Sequence, residues 1–151
     1  IQEGIMKGLF ILLLLSLLLV PSSVYARDDI DSYSIKEALD LELSKEKLGN
    51  DIKFYFGDQD HGKILKNYGK FRTNKKTNAF NKSDLKACQR AFLSAMTSLR
   101  DRAVKEGGNA VINIKSNYRN NLTSSEDNFQ CGAGGLMAGV ALVGTVVKLA
   151  E

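Results

Sequence analysis

The 151-residue chain has no Trp, one Pro, one His and two Cys. That inventory cannot supply a zinc site of four cysteines, nor one of two cysteines and two histidines. It also leaves no His to spare for a conventional Ser-His-Asp triad, and the other residues form no set of nucleophile, base and orienting group. A non-enzymatic protein without a cofactor is the expectation. Charge of neither sign dominates: 21 basic residues against 17 acidic leave a net +4, and 44% hydrophobic residues exclude a disordered polyelectrolyte. One folded domain is expected, without internal repeats or low-complexity tracts.

The apolar run near the start carries an address. Met6-Lys7 leads into an uncharged stretch from Gly8 to Val20, followed by Pro21-Ser22-Ser23-Val24-Tyr25-Ala26. The stretch is shorter than the roughly 20 residues of a membrane-spanning helix, Lys7 provides the positive start, and the chain's one Pro breaks it. Val24 and Ala26 are the small residues that a signal peptidase reads, so residues 1–26 are expected to be a signal peptide cut between Ala26 and Arg27. Residues 1–5 precede the credible initiator Met6 and are expected to be upstream sequence. No Cys follows the run, so a lipoprotein anchor is not expected. The protein is thus expected in the periplasm, an oxidising compartment where Cys88 and Cys131 are candidates for a disulfide. Closing that loop would stabilise the fold by about 4 kcal/mol, the alternative being two free, buried thiols. The pair lacks the C-x-x-C spacing and the cationic neighbours of a redox site.

Beyond the leader, residues 27–50 form a charged arm and residues 51–151 a single domain. In the arm, Ser34 and Ser44 each precede helix formers, which predicts short capped helices. Lys53-Phe54-Tyr55-Phe56 and the stretch from Lys63 to Arg72 predict a β-hairpin, and Thr73 to Lys82 a loop. From Ser83 to Glu106, Leu85, Cys88, Phe92, Ala95, Met96, Leu99 and Ala103 recur at three- and four-residue steps. That spacing predicts an amphipathic helix with ion pairs Asp101–Lys105 and Arg102–Glu106, stopped by Gly107-Gly108. Asn109 to Tyr118 alternates, placing Ala110, Ile112 and Ile114 on one face and Asn113, Lys115 and Asn117 on the other. Residues Arg119 to Asn128 predict a polar loop. Cys131 to Val147 is uncharged and glycine-rich; it is a strand or a membrane-inserted helix, and the strand is favoured because the preceding strand needs a partner. The fold class that follows is α+β. A small sheet of about four strands, a hairpin plus a C-terminal strand pair, packs on one long amphipathic helix.

Phe54-Tyr55-Phe56-Gly57-Asp58-Gln59, the segment from Thr73 to Asp84 and Gly107-Gly108-Asn109-Ala110-Val111-Ile112-Asn113-Ile114-Lys115-Ser116 together resemble a small family of exported bacterial proteins commonly labelled "excinuclease ATPase subunit". The helix, the GGNAVINI string and the ending Gly144-Thr145-Val146-Val147 are more distantly similar to the YbjQ and RcsF-like group of small α+β domains. The label's chemistry is not in the residues. Gly57 to Ile64 satisfies G-x-x-x-x-G-K, but Ile64 stands where a hydroxyl must bind magnesium, and Asp58 and Asp60 would face the phosphates. A turn between two strands is the expected structure there.

Two constellations remain. Asp58, Asp60 and His61 have the ligand types of a divalent-metal site, and the second resemblance, to a group described as heavy-metal-binding, points the same way. Lys63, Lys66, Lys70, Arg72, Lys75 and Lys76 form a basic stretch interleaved with aromatics, suited to an anionic partner. The expected function is a periplasmic binding or envelope-maintenance protein whose partner is a protein or an anionic envelope component. Nucleic acid is not expected; homo-oligomers through a sheet edge are. The alternatives are a membrane-associated protein that uses the glycine-rich segment and the basic stretch, and a metal-binding periplasmic protein.

Overall fold

A computed structural model describes residues 27–151; the apolar run and the cleavage position at Ala26 lie outside the described residues. The elements in chain order are β1 (Asp29–Ser34), α1 (Ile35–Asp40), α2 (Glu42–Leu48), β2 (Lys53–Phe56), β3 (Ile64–Asn78), α3 (Asp84–Glu106), β4 (Ala110–Tyr118), β5 (Asn121–Thr123), β6 (Asn128–Ala133) and β7 (Met137–Leu149). The seven strands form one mixed sheet, with β7 at its centre. Along one edge β7 pairs antiparallel with β3, from Ile64 opposite Leu149 to Asn78 opposite Met137. Its other edge is shared: β6 takes Ala138 and Gly139, and β4 takes Leu142 to Val147. β1 adds beyond β6, β2 lies parallel beyond β4, and β5 folds back on the end of β4.

This overturns the expected four-strand sheet with a hairpin. β2 and β3 do not pair with each other: β2 joins β4 and β3 joins β7. Local propensity marks a segment as a strand but carries no information about its partner, which is set by which edges the core leaves open. For the same reason residues 73–78, expected as loop, continue β3. Their Asn, Thr and Lys side chains suit an edge strand, whose long polar side chains also discourage pairing with another chain. Residues 29–34, expected within an arm, contribute β1.

The long helix is where the sequence placed it. Ser83 Oγ accepts from Lys86 N at 3.3 Å, and Gly107 ends the helix with φ 83°. Ser83→Ala is expected to lower stability by about 1 kcal/mol in urea titration, with the denaturant slope unchanged. Of the predicted stripe, Cys88, Phe92, Ala95, Met96, Leu99 and Ala103 are buried, whereas Leu85, one residue from the helix start, is 43% exposed. The Arg102–Glu106 pair forms at 3.2 Å, but Asp101 meets Arg100 rather than Lys105. In the N-terminal segment Ser34 caps α1 as expected. Ser44 is no cap: α2 starts earlier, and the buried Ser44 hydroxyl donates to Ala38 O at 2.7 Å.

β4 departs from simple alternation. Asn113 takes φ 51° at an irregularity between Ile112 and Lys115, and an extra residue there resets the faces. Val111 and Ile114 enter the main core beneath α3, while Ala110 and Ile112 join Val147 and Leu149 in a second cluster. Ile112 and Ile114 therefore lie on opposite faces, not on one as the alternation predicted. The main core holds a column of rings, with centroid separations of 5.8 Å for Tyr33–Phe129, 4.2 Å for Phe129–Phe92 and 6.2 Å for Phe92–Phe56. Burial pushes the Tyr33 phenol up from its ordinary range. Cys88 and Cys131 form a disulfide that ties α3 to β6, with Cα atoms 5.8 Å apart. The glycine-rich segment is β6 and β7, not a helix, and among the described residues no helix is long and apolar enough to cross a membrane.

Candidate functional site

The face of the sheet away from α3 gathers polar groups from three strands. Once the bulge at Asn113 has turned Ile114 inward, Lys115 points outward. Val143 of β7 is paired with Arg72 of β3 on one side and with Lys115 of β4 on the other. Residues opposite one another in neighbouring strands share a face, so two cationic side chains flank Val143 from backbone positions about 10 Å apart, two strand spacings. Val143 is only 5% exposed between them. In the next row Thr145 lies between Lys70 and Ile112. Asn113, Asn117 and Asn120 add amides, and the cleft so formed measures about 430 Å³.

The electrostatics of this cleft are lopsided. Lys115 Nζ is 3.9 Å from Asp58 Oδ1, a loose pair whose acid is 83% exposed and screened by solvent. Among the described residues no carboxylate lies within ion-pair distance of Lys70 or Arg72.

The six basic residues expected to act together are dispersed by the strand. Lys70 and Arg72 line the cleft. Lys76 sits opposite Gly139 and lines a second cleft of about 660 Å³ with Arg119 and Tyr118. Lys75 lines another beside α3 with Lys47 and Arg90. Lys66 lies 4.8 Å from the centroid of the Tyr68 ring, and Lys63 precedes β3, its carbonyl accepting from Ala150 N at 2.8 Å. Alternation in the sequence set Asn113, Lys115 and Asn117 together on a wet face, but nothing local could show that Lys70 and Arg72 would stand across β7 from them.

Asp58, Asp60 and His61 occupy the link between β2 and β3. His61 Nδ1 is 2.9 Å from Gly62 O and its ring is edge-on to Tyr55 at 5.8 Å, while Asp58 faces Lys115. Among the described residues no group of three or more His, Cys, Asp or Glu side chains is placed to hold a metal ion. Arg27, the first described residue, pairs with Asp29 at 2.6 Å and with Asp84 at the start of α3.

The fold and this cleft define a small disulfide-linked domain with a mixed seven-stranded sheet, one face covered by a long helix and the other carrying polar clefts. No family model, no curated protein and no solved structure matches the chain.

Proposed function

We propose that this is an exported, non-enzymatic binding protein of the bacterial envelope, working in the periplasm. The observation that carries the reading is the Cys88–Cys131 disulfide, set between α3 and β6 at positions with no solvent exposure. Such a crosslink belongs to oxidising compartments, and the Met6 to Ala26 sequence has the composition of an export signal. Binding rather than catalysis is supported by the outward cleft, whose cations are set in rigid strands without a neighbouring nucleophile and base. The partner is an anionic envelope component or a protein with an acidic surface, and contact with the membrane is peripheral.

Mass spectrometry of the protein recovered from the periplasm tests the reading. The expected mass starts at Arg27 and is two hydrogens below that of the reduced chain. Retention of residues 6–26, or two free thiols, overturns it. Spheroplast fractionation gives the second readout: release with the soluble periplasm is expected, and recovery with the membranes after a high-salt wash refutes peripheral association.

A further inference from the structure

We propose that the sheet face opposite α3 is a docking groove for an acidic glycan, its uronate carboxylates held between Arg72 and Lys70 on β3 and Lys115 on β4. The inference rests on the reading of the protein as a binding module and adds the chemistry of what is bound. Three observations converge on it. First, Arg72 and Lys115 face each other across Val143, and among the described residues only Lys115 has an acid nearby, loosely, at 3.9 Å. Lysines on an exposed edge strand guard against aggregation, which accounts for cations on β3. It does not account for Lys115, which lies on β4, a strand paired on both sides. Two strand spacings apart, the two cations barely repel one another in solvent, and both stay open to an anionic ligand.

Second, the rest of the lining is neutral and hydrogen-bonding. Asn113, Asn117 and Asn120 each offer an amide with two donors and an acceptor, the set that pairs with vicinal hydroxyls, and Thr145 adds a hydroxyl. Leu122, 61% exposed at the rim, provides an apolar surface for the C–H face of a sugar ring. Third, the charge is sparse. Lys70 and Arg72 stand two residues apart on β3, about 7 Å, and Lys115 lies about 10 Å from Arg72 across Val143, so each is a single cation able to meet one carboxylate along a sugar chain. A phosphate, with charge near −2 and three acceptor oxygens, would instead need several donors gathered at one point. The lining includes no aromatic ring on which a nucleic acid base could stack.

Calorimetric titration of the oxidised protein at low salt, with a galacturonate oligomer as the probe, tests this. A maltose oligomer of the same length is the neutral control, and polyglutamate is the acid without sugar. The galacturonate oligomer is expected to bind at least tenfold more tightly than either. Arg72→Gln and Lys115→Gln should each weaken it about tenfold, the loss of one charge-assisted contact. Asn117→Ala should weaken the sugar acid while leaving polyglutamate unchanged, and Lys63→Gln, outside the cleft, should leave both unchanged. Thermal melts of each variant establish that it is folded. Equal binding of polyglutamate, affinity insensitive to Arg72→Gln and Lys115→Gln in folded protein, or no binding at all overturns the proposal. A periplasmic, oxidised protein that ignores the oligomer removes this inference and leaves the broader reading intact; a protein with its leader and free thiols that binds it does the reverse.

Discussion

Gly144→Val is expected to be among the most damaging single substitutions in the chain, and Gly144→Ala to cost about 2–3 kcal/mol. Gly144 lies in β7 opposite the irregularity of β4, where Val111 and Ile114 close in from the neighbouring strand. A Cβ placed there would stand 2.6 Å from Val111 Cγ1, 3.3 Å from Ile114 Cγ1 and 3.7 Å from Leu99 Cδ1. All three neighbours are buried at 1% exposure or less, so none can swing into solvent to make room. Densely packed interiors relieve such an insertion only by moving backbone or forcing side chains off their rotamers. Gly135 is the internal control: a Cβ there meets nothing within 4 Å, and Gly135→Ala is expected to change stability by less than about 0.5 kcal/mol. Urea titration of both variants checks this, and equal midpoints would refute the close packing of Val111 and Ile114 over Gly144.

The second large effect is loss of the disulfide. Cys88 and Cys131 are 43 residues apart, and opening a loop of that length is expected to cost about 4 kcal/mol through the entropy of the unfolded chain. For a domain of this size that corresponds to a fall in melting temperature of about 15 °C. The Cys88→Ala/Cys131→Ala double variant should show it with or without reductant, and the natural protein only with reductant. Because both sulfurs are buried at 0% exposure, reduction should also be slow below the melting transition, since a thiolate must reach a sulfur to attack it. A melting temperature unchanged by the double substitution would mean that the helix and β6 hold together without the bond.

The two effects separate what local sequence reveals from what it does not. The helix from Asp84 to Glu106 was legible because cap, stop and apolar period all agree within one segment. The Cys pair was legible because a chain with two cysteines has one intramolecular pairing. β4 was legible as a strand but not in its orientation: one extra residue at Asn113 reverses which side chains face the core, and Asn113 is not marked by a glycine that would announce it. The basic stretch was visible as charge, yet its grouping was not. The pairing along β3 puts Lys75 opposite Val140 and Lys76 opposite Gly139, away from Arg72, which finds its counterpart 43 positions away in Lys115.

By itself, then, the sequence determined the long helix and most of the segments that become strands, because each is written in a contiguous run read by local sterics and capping, and it named the two cysteines of the covalent tie because there are no others. Only the tertiary structure decided that the strands join in one seven-stranded sheet around β7, that β2 lies parallel to β4 rather than hairpinned to β3, and that Arg72 and Lys115 face each other over Val143. Those outcomes depend on pairings between distant segments. A strand's backbone donors and acceptors are the same whatever its partner, so the choice falls to the burial of both sheet faces at once, a property of the assembled chain and of no single segment in it.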